Sequence, residues 1–321
     1  MSIVREALET HQVTIYFAAI AIAAATALVL PQTGILEVFI NPTLALMLFV
    51  TFLQVPLADL ARAFTQLRFL GSLLVTNFLV IPVLVAVLLQ FLPSDPIIRL
   101  GVLLVLLTPC IDYVVTFAHL GRADARLLLA STPILLIVQM LLLPIYLSVF
   151  MGEEARGLVR MEPFLLAFAW LIAAPLALAA LVQVLSGKSN TAKRAAGYLG
   201  LLPVPATALV LFVVIAAVVP QLGLALDGAL RVVPIYVAFA IAAPILGWIV
   251  ARSFNLDVSG ARAVALSAGT RNSLVVLPLA FAVPGAMPLL PAIIVAQTLV
   301  ELVSELAYIR LLPKLGSAHS C

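Results

Sequence analysis

The chain has 321 residues, of which 64% are hydrophobic and 10% charged, with a formal net charge of +3. Together with a mean hydropathy of +1.26, this is more apolar surface than one water-soluble core of that size can bury. Lipid is the solvent this implies. The basic residues gather in alternate loops, a pattern that answers to a membrane and not to nucleic acid.

Crossing hydrocarbon takes about 20 mainly apolar residues per helix, since backbone N–H and C=O groups find no water there. The first such run, near 13–30, follows mixed charges that include Arg5 and ends at Pro31-Gln32-Thr33-Gly34. It carries no small-residue cleavage pattern and reads as a span rather than a removable signal. Apolar runs near 42–58, 69–91, 97–120 and 125–150 follow, separated by loops that hold Arg62 and Arg68, then Arg99, then Arg122 and Arg126. The stretch Gly152–Glu162, with Glu153, Glu154, Arg156 and Arg160, reads as a solvated linker. Beyond it lie runs near 163–185, 195–219, 230–252, 260–283 and 290–311.

Twelve Lys and Arg fall on the side of the N-terminus, among them Lys188, Lys193, Arg194, Arg252, Arg262, Arg310 and Lys314. Four fall on the other side, namely Arg99, Arg156, Arg160 and Arg231, and Arg271 lies within a span. This asymmetry predicts an even number of spans, ten, in a cell membrane, with both termini cytoplasmic.

The fourth and ninth spans are interrupted alike, at Thr108-Pro109-Cys110-Ile111-Asp112 and at Gly269-Thr270-Arg271-Asn272-Ser273. The breaks lie half a chain apart. Five spans per half is an odd number, so two halves of like fold have opposite orientations. The expected architecture is all-α, with two inverted five-helix repeats, 1–155 and 156–321, and with helices 4 and 9 broken and crossing. That geometry characterises secondary carriers that rock one rigid unit against another. A lone Pro or Gly break commonly only kinks a membrane helix; matched breaks that each carry an ionisable residue point to a binding site.

Charged groups inside a span need a partner, a water-filled cavity or a task. Asp112, Arg271, Glu301 and Glu305 are such groups. Asp112 either caps the half-helix that follows it or binds an ion. Arg271 either pairs with Asp112 or a glutamate, or serves the site directly. Spacing by four places Gln297, Glu301 and Glu305 on one face of the last span. Glu301 is near the middle, where a proton or cation site belongs, and Glu305 is toward the cytoplasmic end, where partial solvation is expected. Cys110 packs as a small apolar group, or else its place after a helix-breaking proline, near Arg271, favours thiolate and a soft metal or metalloid. Cys321, the last residue, makes no disulfide with it. No phosphate-binding loop, dinucleotide fingerprint, paired-cysteine cluster or H-E-x-x-H or G-x-S-x-G motif occurs, so neither ATP hydrolysis, a cofactor nor an enzyme is expected.

The fourth span, Leu106-Leu107-Thr108-Pro109-Cys110 running on to Thr116-Phe117-Ala118-His119-Leu120-Gly121-Arg122-Ala123-Asp124, and the ninth, Gly269-Thr270-Arg271-Asn272-Ser273, resemble the bile acid:sodium symporter superfamily and within it the arsenite efflux permeases. The resemblance implies export of arsenite, and of antimonite, in exchange for protons. Cys110 matches the cysteine of the fourth span, the metalloid ligand. Glu301, in Leu299-Val300-Glu301-Leu302-Val303, matches the embedded glutamate, with Glu305 beside it as a second ion-coupling residue. Arg271, Asn272 and Asp112 fall in the substrate-binding segments. Val114, Val115 and Ser267 stand where sodium-coupled members are similar in bearing Ser, Thr or Asn clusters and an acid, so the proton is expected before sodium. The runner-up is a sodium- or proton-coupled carrier of an organic anion, its carboxylate or sulfonate held by Arg271 and half-helix N-termini.

Overall fold

The computed structural model describes residues 2–54, 66–111, 113–152, 166, 169–220, 225–281, 283 and 285–316. Asp112 and residues 153–162 of the linker lie outside the described residues. The described elements are helices, as the lack of backbone partners in lipid demands.

The chain forms two compact units, Met1–Leu57 with Met161–Leu226, and Ala58–Arg160 with Asp227–Cys321. In the first, α1 (Ser2–Val29) packs on α9 (Pro203–Val218), which also packs on α2 (Ile40–Leu53) together with α7 (Ala174–Ser186). A short helix, α8 (Asn190–Leu199), meets α9 at a bend of 45°. The Gln183 side-chain amide donates to the Phe52 and Leu53 carbonyls at the end of α2, at 3.2 and 3.4 Å.

The second unit holds α3 (Leu67–Leu89), α4 (Pro96–Leu106), α5 (Val114–Leu120) and α6 (Ala125–Met151). It also holds α10 (Leu226–Ser253), α11 (Val258–Gly269), α12 (Ser273–Phe281) and α13 (Leu289–Leu311). Acidic residues start three of these helices. The Asp95 carboxylate accepts from the Ile97 and Ile98 N–H groups before Pro96 at the first helical position, Asp124 from Leu127, and Asp257 from Gly260. Gly152 ends α6 at φ 57° and ψ −131°, a conformation that a side chain disfavours.

Prolines inside spans free carbonyls, and tyrosines take them up. Pro82 leaves the Phe78 carbonyl without its helical N–H, and α3 widens into a π turn over Thr76–Val80. The Tyr146 hydroxyl donates to that carbonyl at 2.5 Å. Likewise Pro244 frees the carbonyl of Ala240, to which the Tyr308 hydroxyl donates. Close helix approach comes from small residues, as at Gly247, where an added Cβ would lie 2.7 Å from Ala268 Cβ.

Among the described residues, six helices are long and apolar enough to cross a membrane, seven if the bent pair α8–α9 counts as one span. Ile137, Leu141, Ile145 and Val149 of α6 are exposed at spacings of four, as are Val237, Ile241, Ile245 and Ile249 of α10. Such stripes are what a soluble monomer avoids and lipid accepts. The chain is thus a multi-pass membrane protein. The fourth and ninth runs of the sequence are not continuous spans: each is a pair of short helices, α4 with α5 and α11 with α12, joined by an extended break.

Candidate functional site at the crossing of two broken helices

The two breaks are paired with each other. Pro109 and Arg271 lie opposite one another in a short antiparallel pairing. The Cys110 N–H donates to the Thr270 carbonyl at 3.1 Å, and the Asn272 N–H donates to the Thr108 carbonyl at 2.8 Å. Backbone that has left helical geometry inside a membrane must find such partners. Each first half-helix ends at a threonine whose hydroxyl turns back on its own last turn, Thr108 to Leu104 and Val105, Thr270 to Leu266.

Arg271 is fully buried, at 0% exposure. One expectation paired its guanidinium with an acid, and the described partners correct it where the glutamates are concerned. Among the described residues the four hydrogen bonds of the guanidinium go to neutral oxygens: Nη1 to the Leu106 carbonyl at 3.3 Å, and Nη2 to Asn77 Oδ1 at 2.7 Å, Ser267 O at 2.5 Å and Ala268 O at 2.8 Å. Its Nε has no hydrogen-bond partner among the described residues. The Phe239 ring lies 5.4 Å from the guanidinium carbon, within cation–π range. The side chain therefore serves the open carbonyls that α4 and α11 leave at their C-terminal ends.

The carboxylate of Glu301 contacts Arg271 through the main chain instead. Its Oε2 accepts from the Arg271 N–H at 2.6 Å and from the Gln297 amide at 2.5 Å, while Oε1 accepts from the Tyr113 hydroxyl. One carboxylate thus ties α13 to both breaks, through Tyr113 three residues beyond Cys110 and through Arg271 itself. Glu305 sits one turn further on, with Oε1 against the Thr270 hydroxyl and Oε2 without a partner. Partial solvation was expected of Glu305. It is instead 0% exposed, with the Thr270 hydroxyl at the end of α11 against its Oε1.

Cys110 is buried in the first break and joins no disulfide among the described residues. Asn272 caps α12, its Oδ1 accepting from the Val275 N–H at 3.3 Å, while its Nδ2 is unpartnered. Among the described residues no group of three or more His, Cys, Asp or Glu is placed to hold a metal ion. Cys110, Arg271, Asn272, Glu301 and Glu305 come together in one crossing; Asp112 lies outside the described residues.

The sequence reading passed over Asn77, Tyr113 and Phe239, which complete this centre. A signal existed for Asn77, the lone amide in the apolar run of α3. Its Nδ2 donates to Ser267 Oγ at 3.1 Å, so it is fixed from both sides as it accepts from Arg271.

A family model described as Sodium Bile acid symporter family matches residues 41–224, more than half of the chain. The chain belongs to this family. Sodium bile acid symporter family members are secondary transporters and not enzymes, so this chain is a carrier of a small molecule coupled to an ion. No curated protein sequence matches the chain.

Proposed function

We propose that this chain is a proton-coupled exporter of arsenite, with antimonite as a second cargo. It works as a ten-span carrier built from the inverted repeats 1–155 and 156–321, with both termini cytoplasmic in the cell membrane. The observation that carries the reading is the placement of Glu301: a buried carboxylate hydrogen-bonded at once to the break that holds Cys110 and to the break that pairs with it.

The described groups around Glu301 all donate to it, which suits the ionised form. A proton on Glu301 requires at least one of those donor contacts to become an acceptor contact. Gln297 offers the acceptor for the new O–H, because its Oε1 is buried and unpartnered; its amide then turns over. Thr270 has one hydroxyl hydrogen and two oxygens in reach, Leu266 O and Glu305 Oε1. A proton on Glu305 completes that set, which makes the pair Glu301 and Glu305 a two-carboxyl relay on one helix face.

Cys110 is the metalloid ligand in this reading. Its thiol sulfur bonds to arsenic in As(OH)3, the As–O bond to one hydroxyl breaks, and the thiol proton leaves with that hydroxyl as water. Release on the other side reverses the exchange. Arg271 and Asn272 shape the crossing and hold its backbone in the extended form, with Asp112 assigned to the same segment. The runner-up, a carrier of an organic anion, would draw on Arg271 Nε and Asn272 Nδ2, two donors of the second break without a partner among the described residues. It is the weaker reading because both Nη groups of the guanidinium already hold neutral oxygens.

The test is uphill arsenite accumulation in energised everted vesicles that contain the chain. Accumulation is expected, and it is expected to vanish with a proton uncoupler and with Cys110→Ser. Vesicles that accumulate no more arsenite than empty ones would sink the cargo assignment, and an anion flux lost in Arg271→Gln but kept in Cys110→Ser would put the runner-up in its place.

A further inference from the structure

Arg271 places a cation in an oxygen cup. Its Nη2 faces Asn77 Oδ1, Ser267 O and Ala268 O at 2.5–2.8 Å, and Nη1 reaches Leu106 O at 3.3 Å. Three of these four oxygens are the open carbonyls at the C-terminal ends of α4 and α11, where the negative poles of two half-helices converge. The fourth belongs to the π turn of α3, where a helix is already widened. Unwound carbonyls and half-helix C-terminal ends are the groups with which broken-helix carriers hold a coupling cation. Neutral oxygens gathered at this density are also the ligands a hard cation takes.

Here the cation is part of the chain. The Arg271 side chain leaves the break and folds back over the residues three and four before it, and Phe239 closes the cup from the far side. A sodium ion entering the same oxygens would meet a fixed positive charge within bonding distance of each of them. The residues present therefore do not fit a sodium ion at this place, although the family is described as a sodium symporter family.

We propose that the Arg271 guanidinium is a tethered cation that takes the position of a coupling sodium ion at the crossing, so that this carrier completes its cycle without sodium. The proposal rests on reading the crossing as the coupling site of the carrier, and not on which cargo it moves. It separates from a purely structural role for Arg271 by one property: a cup built for a cation accepts a free one once the tether is cut.

The experiment is thermal unfolding of the purified full-length chain in sodium, potassium and choline chloride at equal ionic strength, for the wild type and Arg271→Ala. The wild type is expected to melt at the same temperature in all three salts. Arg271→Ala is expected to melt lower in choline and to recover by several degrees as sodium is titrated to saturation. Millimolar guanidinium chloride is expected to give the same recovery and to compete with sodium. Saturable stabilisation of the wild type by sodium would overturn the proposal, as would a folded Arg271→Ala indifferent to both sodium and guanidinium. If Arg271→Ala does not purify, Arg271→Gln, which keeps a donor amide, is measured against the same two outcomes. No cargo is present in this readout, so loss of the arsenite assignment leaves the proposal standing, and sodium-stabilised wild type overturns it without touching the cargo.

Discussion

The two breaks are alike in frame and opposite in content. Thr108 and Thr270 each end a half-helix and each send a hydroxyl back along it, and the segments that follow share backbone hydrogen bonds. After that point one break carries a proline and a thiol, Pro109 and Cys110, and the other carries a guanidinium and an amide, Arg271 and Asn272. The first places a buried thiol beside a proline. The second neutralises the carbonyl ends of both half-helices and takes a carboxylate on its N–H. The two paired segments thus differ in their work: the guanidinium of the second serves the carbonyl ends of both first half-helices.

The sharpest way to break this division is at the residue that joins the breaks. Glu301→Ala leaves the Arg271 N–H and the Gln297 amide without their acceptor, each a buried group whose isolation costs about 1–3 kcal/mol, and takes one acceptor from the Tyr113 hydroxyl, which still reaches the Arg271 carbonyl. A large drop in melting temperature and complete loss of uphill flux are expected. Glu301→Gln keeps the volume and one acceptor oxygen, so it is expected to fold near the wild-type temperature, to lose proton-driven accumulation and to retain downhill exchange. Melting curves alongside vesicle flux check both variants. Uphill accumulation retained in Glu301→Gln would remove Glu301 from the proton path.

Much of the frame was legible in the residues. Pro109 and the Gly269–Asn272 segment broke the apolar runs where the helices do end, and the spacing of Gln297, Glu301 and Glu305 placed all three on a face that is buried, at 3%, 2% and 0% exposure. The partners were not legible. Asn77 meets Arg271 across 194 positions of chain, a contact that no local pattern encodes. Nor does composition reveal that a buried arginine turns to its own helix end rather than to an acid, since that depends on how many carbonyls the break leaves open. Glu305 differs for a related reason: distance along a span suggests solvent, while Thr270, 35 positions away in the chain, meets its carboxylate.

A smaller effect separates the two threonines. Thr108→Val removes a hydroxyl whose acceptors are backbone carbonyls, one of which, Val105 O, keeps the Thr108 N–H; a loss of about 1 kcal/mol is expected. Thr270→Val removes as well the described partner of Glu305, leaving a buried carboxyl with neither oxygen satisfied. The expected loss is about 1–3 kcal/mol, with impaired uphill flux. Chemical or thermal unfolding of the pair measures the gap, and equal losses with equal flux would mean that Glu305 does not depend on the second break.

The smallest effect tests whether the second break must also start its own half-helix. Asn272 gives α12 a side-chain cap, and Tyr113, at the head of α5, gives none. The capping bond is long, at 3.3 Å, so Asn272→Ala is expected to cost toward the lower end of the cap range, about 0.5–1 kcal/mol. Asn272→Asp and Asn272→Ser retain a capping oxygen and should restore most of that loss. Only Asn272→Asp adds a negative charge beside Glu301 and Arg271. If Ser recovers both stability and flux while Asp recovers stability alone, the amide matters as a neutral cap, and the charge balance of the crossing rests on Arg271 and Glu301 without help from the residue between them and α12.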